Sequence, residues 1–210
     1  MNQRHPTASP AGIAVLLCFC LIVGGCGPAK HPPIEKTAYL LAVPLPQSAP
    51  AARPSHCIAI RTCDAAAAFA SGSFVYRSGT IEYERDFYNR FLIPPADQIT
   101  QTLSDWMRAI QWDVCVPGTS PKDLYTIVPT LEAFYGDFRD RNKPAAVVKM
   151  QISLTFTDST SKSVRTLLTR SYGATVPVPV SPRAADLVGA FSEGIGQILS
   201  QFQQDAEASF

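Results

Sequence analysis

An α+β fold, a mostly antiparallel sheet with two principal amphipathic helices packed on it, is predicted from three features of this 210-residue sequence. Val148, Met150, Ile152, Leu154 and Phe156 alternate with Lys149, Gln151, Ser153, Thr155 and Thr157. Period two marks a strand with one buried and one wet face. Leu187, Val188, Phe191, Ile195, Ile198, Leu199 and Phe202 recur at helical spacing, as do Ile99, Leu103, Trp106, Met107 and Ile110. Stripes of that kind cover the apolar face of a sheet. No period of 20–50 residues repeats, so a solenoid is not expected.

The elements follow in chain order. Residues 27–36 and 44–56 are rich in Pro, Ala and Ser and read as extended linker. Between them Thr37–Val43 reads as a short strand, and Ser55–Thr62 as another with Ile58 and Ile60 on one face. Asp64–Gly72, with four consecutive alanines, is left open between a helical turn and a loop. Ser73–Phe91 is aromatic and strand-like, with a break near Ser78-Gly79. Pro94-Pro95 then suits the start of the first helix, since proline is tolerated in a first turn. Trp112–Val116 is expected to be a strand ended by Pro117-Gly118. Tyr125–Phe138, the alternating strand and Ser163–Thr175 are separated by turns at Arg139–Pro144 and Asp158–Lys162, which predicts an antiparallel meander. Ser181-Pro182 is expected to cap the last helix.

Composition narrows the function classes. The chain is 46% apolar and 17% charged, too apolar for disorder and too charged for a multi-span membrane protein. A net charge of +1 with both signs scattered gives no long-range positive field, so nucleic acid is not an expected partner.

The N-terminus reads as an address. Arg4 is followed by an apolar run from Gly12 to Val23, and no acid precedes Glu35. As a helix that run would rise about 18 Å, too short for a hydrocarbon core of about 30 Å. A charged start, a short apolar core and small residues before a cut site describe a secretory signal. Val23-Gly24-Gly25-Cys26 resembles the bacterial lipobox, in which the Cys thiol is lipidated before cleavage. That resemblance implies a signal peptide over residues 1–25 and a lipidated Cys26 carrying three acyl chains, palmitate among them. A Pro-rich tether over 26–36 and a domain over 37–210 would follow. Gly27 stands where an Asp would resemble the inner-membrane retention signal, which favours the outer membrane, facing the periplasm. Cleavage removes Arg4 from the 18 basic side chains and leaves them level with the 17 acidic ones.

Beyond Cys26 the cysteines are Cys57, Cys63 and Cys115, in a compartment where disulfides persist. An odd count allows one bridge and one free thiol. In an extended strand Cys57 and Cys63 would stand about 20 Å apart, beyond disulfide reach. Of the pairs that remain with Cys115, Cys63–Cys115 is favoured, against the alternative that all three are small buried hydrophobes. Metal spacing is absent, and neither a metal nor another cofactor is expected.

Catalytic signatures are also missing. His31 and His56 both fall in Pro-rich linker, away from the packing a catalytic base needs. There is no GxSxG, P-loop or dinucleotide fingerprint. Glu82, Glu84 and Asp86 could share one strand face, but Arg77, Arg85 and Arg90 beside them favour a solvated surface. The sequence predicts a protein that is not an enzyme.

The segment Phe74-Val-Tyr-Arg-Ser-Gly-Thr-Ile-Glu-Tyr83, then Tyr88-Asn89-Arg90-Phe91 and Pro94-Pro95, resembles the ABC-type transport auxiliary lipoproteins. That family includes the lipoprotein of the paraquat-inducible intermembrane transport system. Phe91 stands where the family commonly has Trp, and Leu131–Phe138 resembles its "V-x-x-F-x-G" strand. The resemblance implies a non-enzymatic outer-membrane partner of a transporter bearing mammalian-cell-entry (MCE) domains, holding the periplasmic end of a conduit for phospholipid or other hydrophobic molecules. The acyl chains would join it to the outer membrane, and a homo-oligomer is compatible with this role. The alternative is an outer-membrane lipoprotein regulating a peptidoglycan synthase, for which about 30 Å of tether is short.

Tyr76, Tyr83, Tyr88, Arg90 and Phe91 are the candidate interface, of the residue types enriched where proteins meet. The competing reading is that they fill the core between sheet and helix.

Overall fold

The computed structural model describes residues 36–47, 52–116, 121 and 123–210. The expected signal peptide, Cys26 and all of the expected tether except Lys36 lie outside them. Eight strands form one mixed sheet: β1 (Thr37–Tyr39), β2 (Ile58–Ile60), β3 (Asp64–Ala65), β4 (Ser73–Arg77), β5 (Tyr83–Phe91), β6 (Leu124–Asp137), β7 (Ala145–Asp158) and β8 (Ser163–Pro177). Helix α1 (Pro95–Ala109) follows β5, and α2 (Ala184–Glu207) ends the fold.

The meander β6–β7–β8 is antiparallel throughout, with Ile127 opposite Leu154 and Met150 opposite Tyr172. The parallel part lies along the other edge of β6. There β2 pairs with Tyr125–Ile127, β3 with Thr130–Leu131, and β4 with Gly136–Asp137, all parallel to β6. Three short segments thus share one long strand, and β5 and β1 extend the sheet beyond β4.

Both helices bury their stripes in one core against the sheet. Pro95 occupies the first turn of α1, with Asp97 beside it and Arg108 in the last turn, charges that suit the helix dipole. Ile99, Leu103, Met107, Ile195, Ile198, Leu199 and Phe202 are fully buried. Phe134 stacks on Phe191 at 4.1 Å, with Phe91 edge-on to both. Gly194 brings α2 close to the sheet: a Cβ there would sit 3.4 Å from Val148 and Ala174. The helices join at their far ends, where the Trp106 indole N–H donates to Gln203 at 3.1 Å.

Two local readings are corrected and one left open is settled. Trp112–Val116 is not a strand: it makes one bridge, between Val114 and Ile58, and the Trp112 N–H is still tied to the Met107 carbonyl of α1. The cap of α2 is Arg183 rather than Ser181-Pro182. Ser181 turns the chain in the left-handed region (φ 61°), and Asp186 accepts the Arg183 backbone N–H at 2.9 Å. The open segment after Asp64 is a two-residue strand and a turn, which lays buried Phe69 on Tyr135.

Candidate functional site

The cysteines settle around β2. The Ile58 N–H donates to the Asp113 carbonyl, and its own carbonyl accepts the Cys115 N–H. This brings Cys57 and Cys115 to a Cα separation of 5.1 Å, and they form the disulfide. The expected Cys63–Cys115 pair is therefore incorrect. Cys63 lies past the end of β2 and beneath α1, where its N–H donates to the Thr100 hydroxyl, and its buried thiol is free. Burial pushes that thiol up to about 12, so it is an inert core group rather than a nucleophile.

His56 is packed, contrary to its reading as linker, with its ring against Phe156 and Tyr125. No hydrogen bond joins it to a serine or cysteine among the described residues. Nor do three or more His, Cys, Asp or Glu side chains gather among them as a metal site.

The five candidate interface residues divide. Phe91 is core, between Phe74, Phe134 and Phe191. Tyr76 is half-buried and its hydroxyl donates to Asp86 at 2.6 Å. Tyr83 lies edge-on to Tyr135 under the Arg77 guanidinium and remains 46% exposed. Tyr88 and Arg90 face solvent.

The strand itself is interrupted. Between β4 and β5 the pairing passes from Val75–Arg85 to Ser73–Arg90, so Asp86–Asn89 bulge out of the ladder opposite Phe74 alone. Asp86 braces that bulge. Its Oδ1 accepts the N–H groups of Tyr88 and Asn89 at 2.7 and 2.9 Å, and its Oδ2 accepts the Asn89 side-chain amide and the Tyr76 hydroxyl. Partial burial opposes ionisation of Asp86, but these four hydrogen bonds together hold its carboxyl below the usual carboxylate range. Phe87 and Tyr88 consequently stand out, each 57% exposed, with rings 5.4 Å apart. Lys36 lies 4.3 Å over the Phe87 ring. The sequence reading placed Asp86 with Glu82 and Glu84 on a solvated face and did not single out Phe87. Only the slipped register between β4 and β5 reveals that Asp86 turns inward.

A second feature lies where the chain leaves β1. The strap Leu40–Leu45 is clipped to both helices by Gln98 and Ser192, the two buried polar side chains among the described residues. Gln98 accepts the Leu41 N–H at 2.8 Å and donates to the Ile93 carbonyl. The Ser192 hydroxyl accepts the Ala42 N–H at 3.0 Å and donates to the Val188 carbonyl. Strap and α1 enclose an open groove of about 580 Å³, walled by Leu40, Leu45 and Ile93 and edged by Asp97, Gln101 and Asp105. Leu40, Leu45 and Ile93 are each at least 44% exposed.

The family model described as "ABC-type transport auxiliary lipoprotein component" matches residues 39–202. The chain belongs to that family. The match takes in most of the sheet, α1, most of α2 and the strap, so groove and bulge both lie within the matched span. No curated protein matches the sequence closely enough to count as a relative. Among solved structures, a DUF330 protein of Xanthomonas campestris is similar over 82% of this chain and 96% of its own, with a TM-score of 0.66 and 15% identity. An uncharacterized protein is similar over 82% of this chain and 99% of its own, with a TM-score of 0.60 and 14% identity. At such identities the likeness is one of fold. Membership in a family of lipoproteins makes this a membrane-anchored transport component, and no helix among the described residues is long and apolar enough to cross a membrane.

Proposed function

We propose that the protein is a non-enzymatic outer-membrane lipoprotein that docks the periplasmic conduit of an MCE-domain, ABC-type intermembrane lipid transporter. Cys26 carries the acyl chains, and residues 1–25 are the signal peptide that directs them there. Gly27, in place of an inner-membrane retention residue, supports the outer membrane as the destination.

The observation that carries this reading is the groove between strap and α1. A docking component needs a rigid apolar surface with a polar rim and no reactive centre. Leu40, Leu45 and Ile93 supply the apolar wall, and Asp97, Gln101 and Asp105 the rim. The strap is fixed in place by Gln98 and Ser192, so the wall is preformed rather than assembled on contact. Of the sequence-derived interface residues, Tyr83 and Arg90 remain exposed on the neighbouring strand, and Tyr76 and Phe91 support it from within.

The test is purification of the full chain from membranes with its partners identified by mass spectrometry, for wild type and for Ile93→Glu. Recovery of an MCE-domain protein with wild type, and its loss with Ile93→Glu, is the expected result. Recovery of a peptidoglycan synthase without a transport component refutes the proposal. Val164→Glu, at a residue 67% exposed on β8, controls for added charge.

A further inference from the structure

We infer that the Asp86-braced bulge is a membrane-resting foot, whose Phe87 and Tyr88 rings enter the headgroup region of the bilayer to which the chain is anchored. The inference rests on the proposed lipidation of Cys26 and adds a second, non-covalent contact.

Position is the first argument. Ten residue steps separate Cys26 from Lys36, and at about 3.3–3.6 Å each they reach no more than about 36 Å, whatever their path. Lys36 touches Phe87, and Thr37 pairs with Asn89. The bulge is therefore the part of the domain at which the tether arrives, held within that reach of the lipid surface.

Chemistry is the second. Aromatic rings beside Lys and Arg favour the membrane–water interface, where an apolar body and a polar tip are both accommodated. Lys36 lies over the Phe87 ring, and Arg85 and Arg90 stand on either side of the two aromatics in the sequence, cations available to headgroup phosphates. Arg85 makes one long hydrogen bond to the Ala68 carbonyl, at 3.4 Å. Of the two carboxylates on β5, Asp86 turns inward to Tyr76 and Asn89, and Glu84 bonds the Ser78 hydroxyl.

Rigidity is the third. Exposed aromatics on a floppy loop would lose conformational entropy on insertion, whereas the carboxylate holds this bulge in shape beforehand.

The test uses the full acylated chain carrying Phe87→Trp, reconstituted into vesicles of phosphatidylethanolamine and phosphatidylglycerol with acyl chains brominated near the glycerol end. Trp106 and Trp112 are buried and give a constant background that the unsubstituted chain measures. A blue shift of the added fluorescence and its loss in brominated vesicles are expected, with no loss for Val164→Trp on β8. If the chain floats with the vesicles while position 87 is unquenched, or positions 87 and 164 are quenched alike, the foot is refuted and the anchor stands. If the wild-type chain does not float, the anchor reading fails and the inference falls with it. Thermal unfolding of each variant establishes that it is folded.

Discussion

Asp86→Ala removes the acceptor of four hydrogen bonds at once and exposes how the bulge is held. Two of the lost donors are backbone N–H groups, of Tyr88 and Asn89, which water can reach. A third is the half-buried Tyr76 hydroxyl, whose partner is lost in a setting that also contains Phe138. Hydrogen bonds to a charged group contribute about 1.5–3 kcal/mol when singly deleted, but four that share one acceptor do not add. We expect a net loss of about 2–3 kcal/mol, with the Tyr76 bond the largest single share. For a domain of this size, at about 2–4 °C per kcal/mol, the melting temperature should fall by about 4–12 °C. Tyr76→Phe should account for about 1 kcal/mol, and the double variant should be less destabilised than the sum. The same contact has a pH signature. Because the folded carboxyl is held below its unfolded value of about 3.9, its contribution is complete above that pH and is lost as pH falls through the folded value. The wild-type stability curve should therefore steepen below about pH 4, and that component should be missing in Asp86→Ala. Chymotrypsin should also cut the variant sooner after Phe87 or Tyr88. Urea unfolding with Asp86→Ala within about 0.5 kcal/mol of wild type would refute the bracing role.

Other expectations follow from the packing. Replacing Cys57 and Cys115 by Ser opens a closed loop of sequence separation 58 and should cost up to about 4 kcal/mol by the chain-entropy relation. Peptide mapping of the unreduced, denatured chain should find Cys63 as the labelled thiol of the three. Phe91→Ala, deep among aromatic rings, should cost about 3–5 kcal/mol. Arg90→Ala beside it should stay within about 0.5 kcal/mol, which separates core from surface in the same strand. Gln98→Leu strands the Leu41 N–H and the Ile93 carbonyl, and should cost about 1–3 kcal/mol. Hydrogen exchange at Leu41 and Ala42 should rise in that variant even where the global stability is restored by a compensating change.

The parts of the fold that could be read from sequence are those whose signal is local. The alternation from Val148 to Phe156 is a property of one strand, and the Leu187–Phe202 stripe of one helix, so each announces its own buried face. Pro94-Pro95 likewise fixes the start of α1 within one residue. What stayed hidden depends on partners distant in the chain. The parallel pairing of β2, β3 and β4 along one edge of β6 leaves no mark in any single segment. The Cys57–Cys115 bond follows from that arrangement, because it is the Ile58 ladder that places the two cysteines side by side. The bulge escaped although its partners are close in the chain: alternation puts Asp86 outward with Glu82 and Glu84, and the slip in register against β4 turns it in. The aromatic set was visible as a set, but its division into buried Phe91 and exposed Tyr88 depends on that same slip. The clipping of the strap by Gln98 and Ser192 joins positions 57 and 150 residues apart, and a lone Gln or Ser on an apolar helix face carries no warning of it.

The docking role rests most directly on what touches the groove in a living cell. A photo-crosslinking residue at position 45, on the groove wall, and another at 164, on β8, should be introduced separately into the acylated full-length chain. Crosslinking of position 45, but not 164, to an MCE-domain protein is the expected result. Crosslinking of position 45 to a peptidoglycan synthase instead, or equal crosslinking of both positions to the transporter, contradicts it.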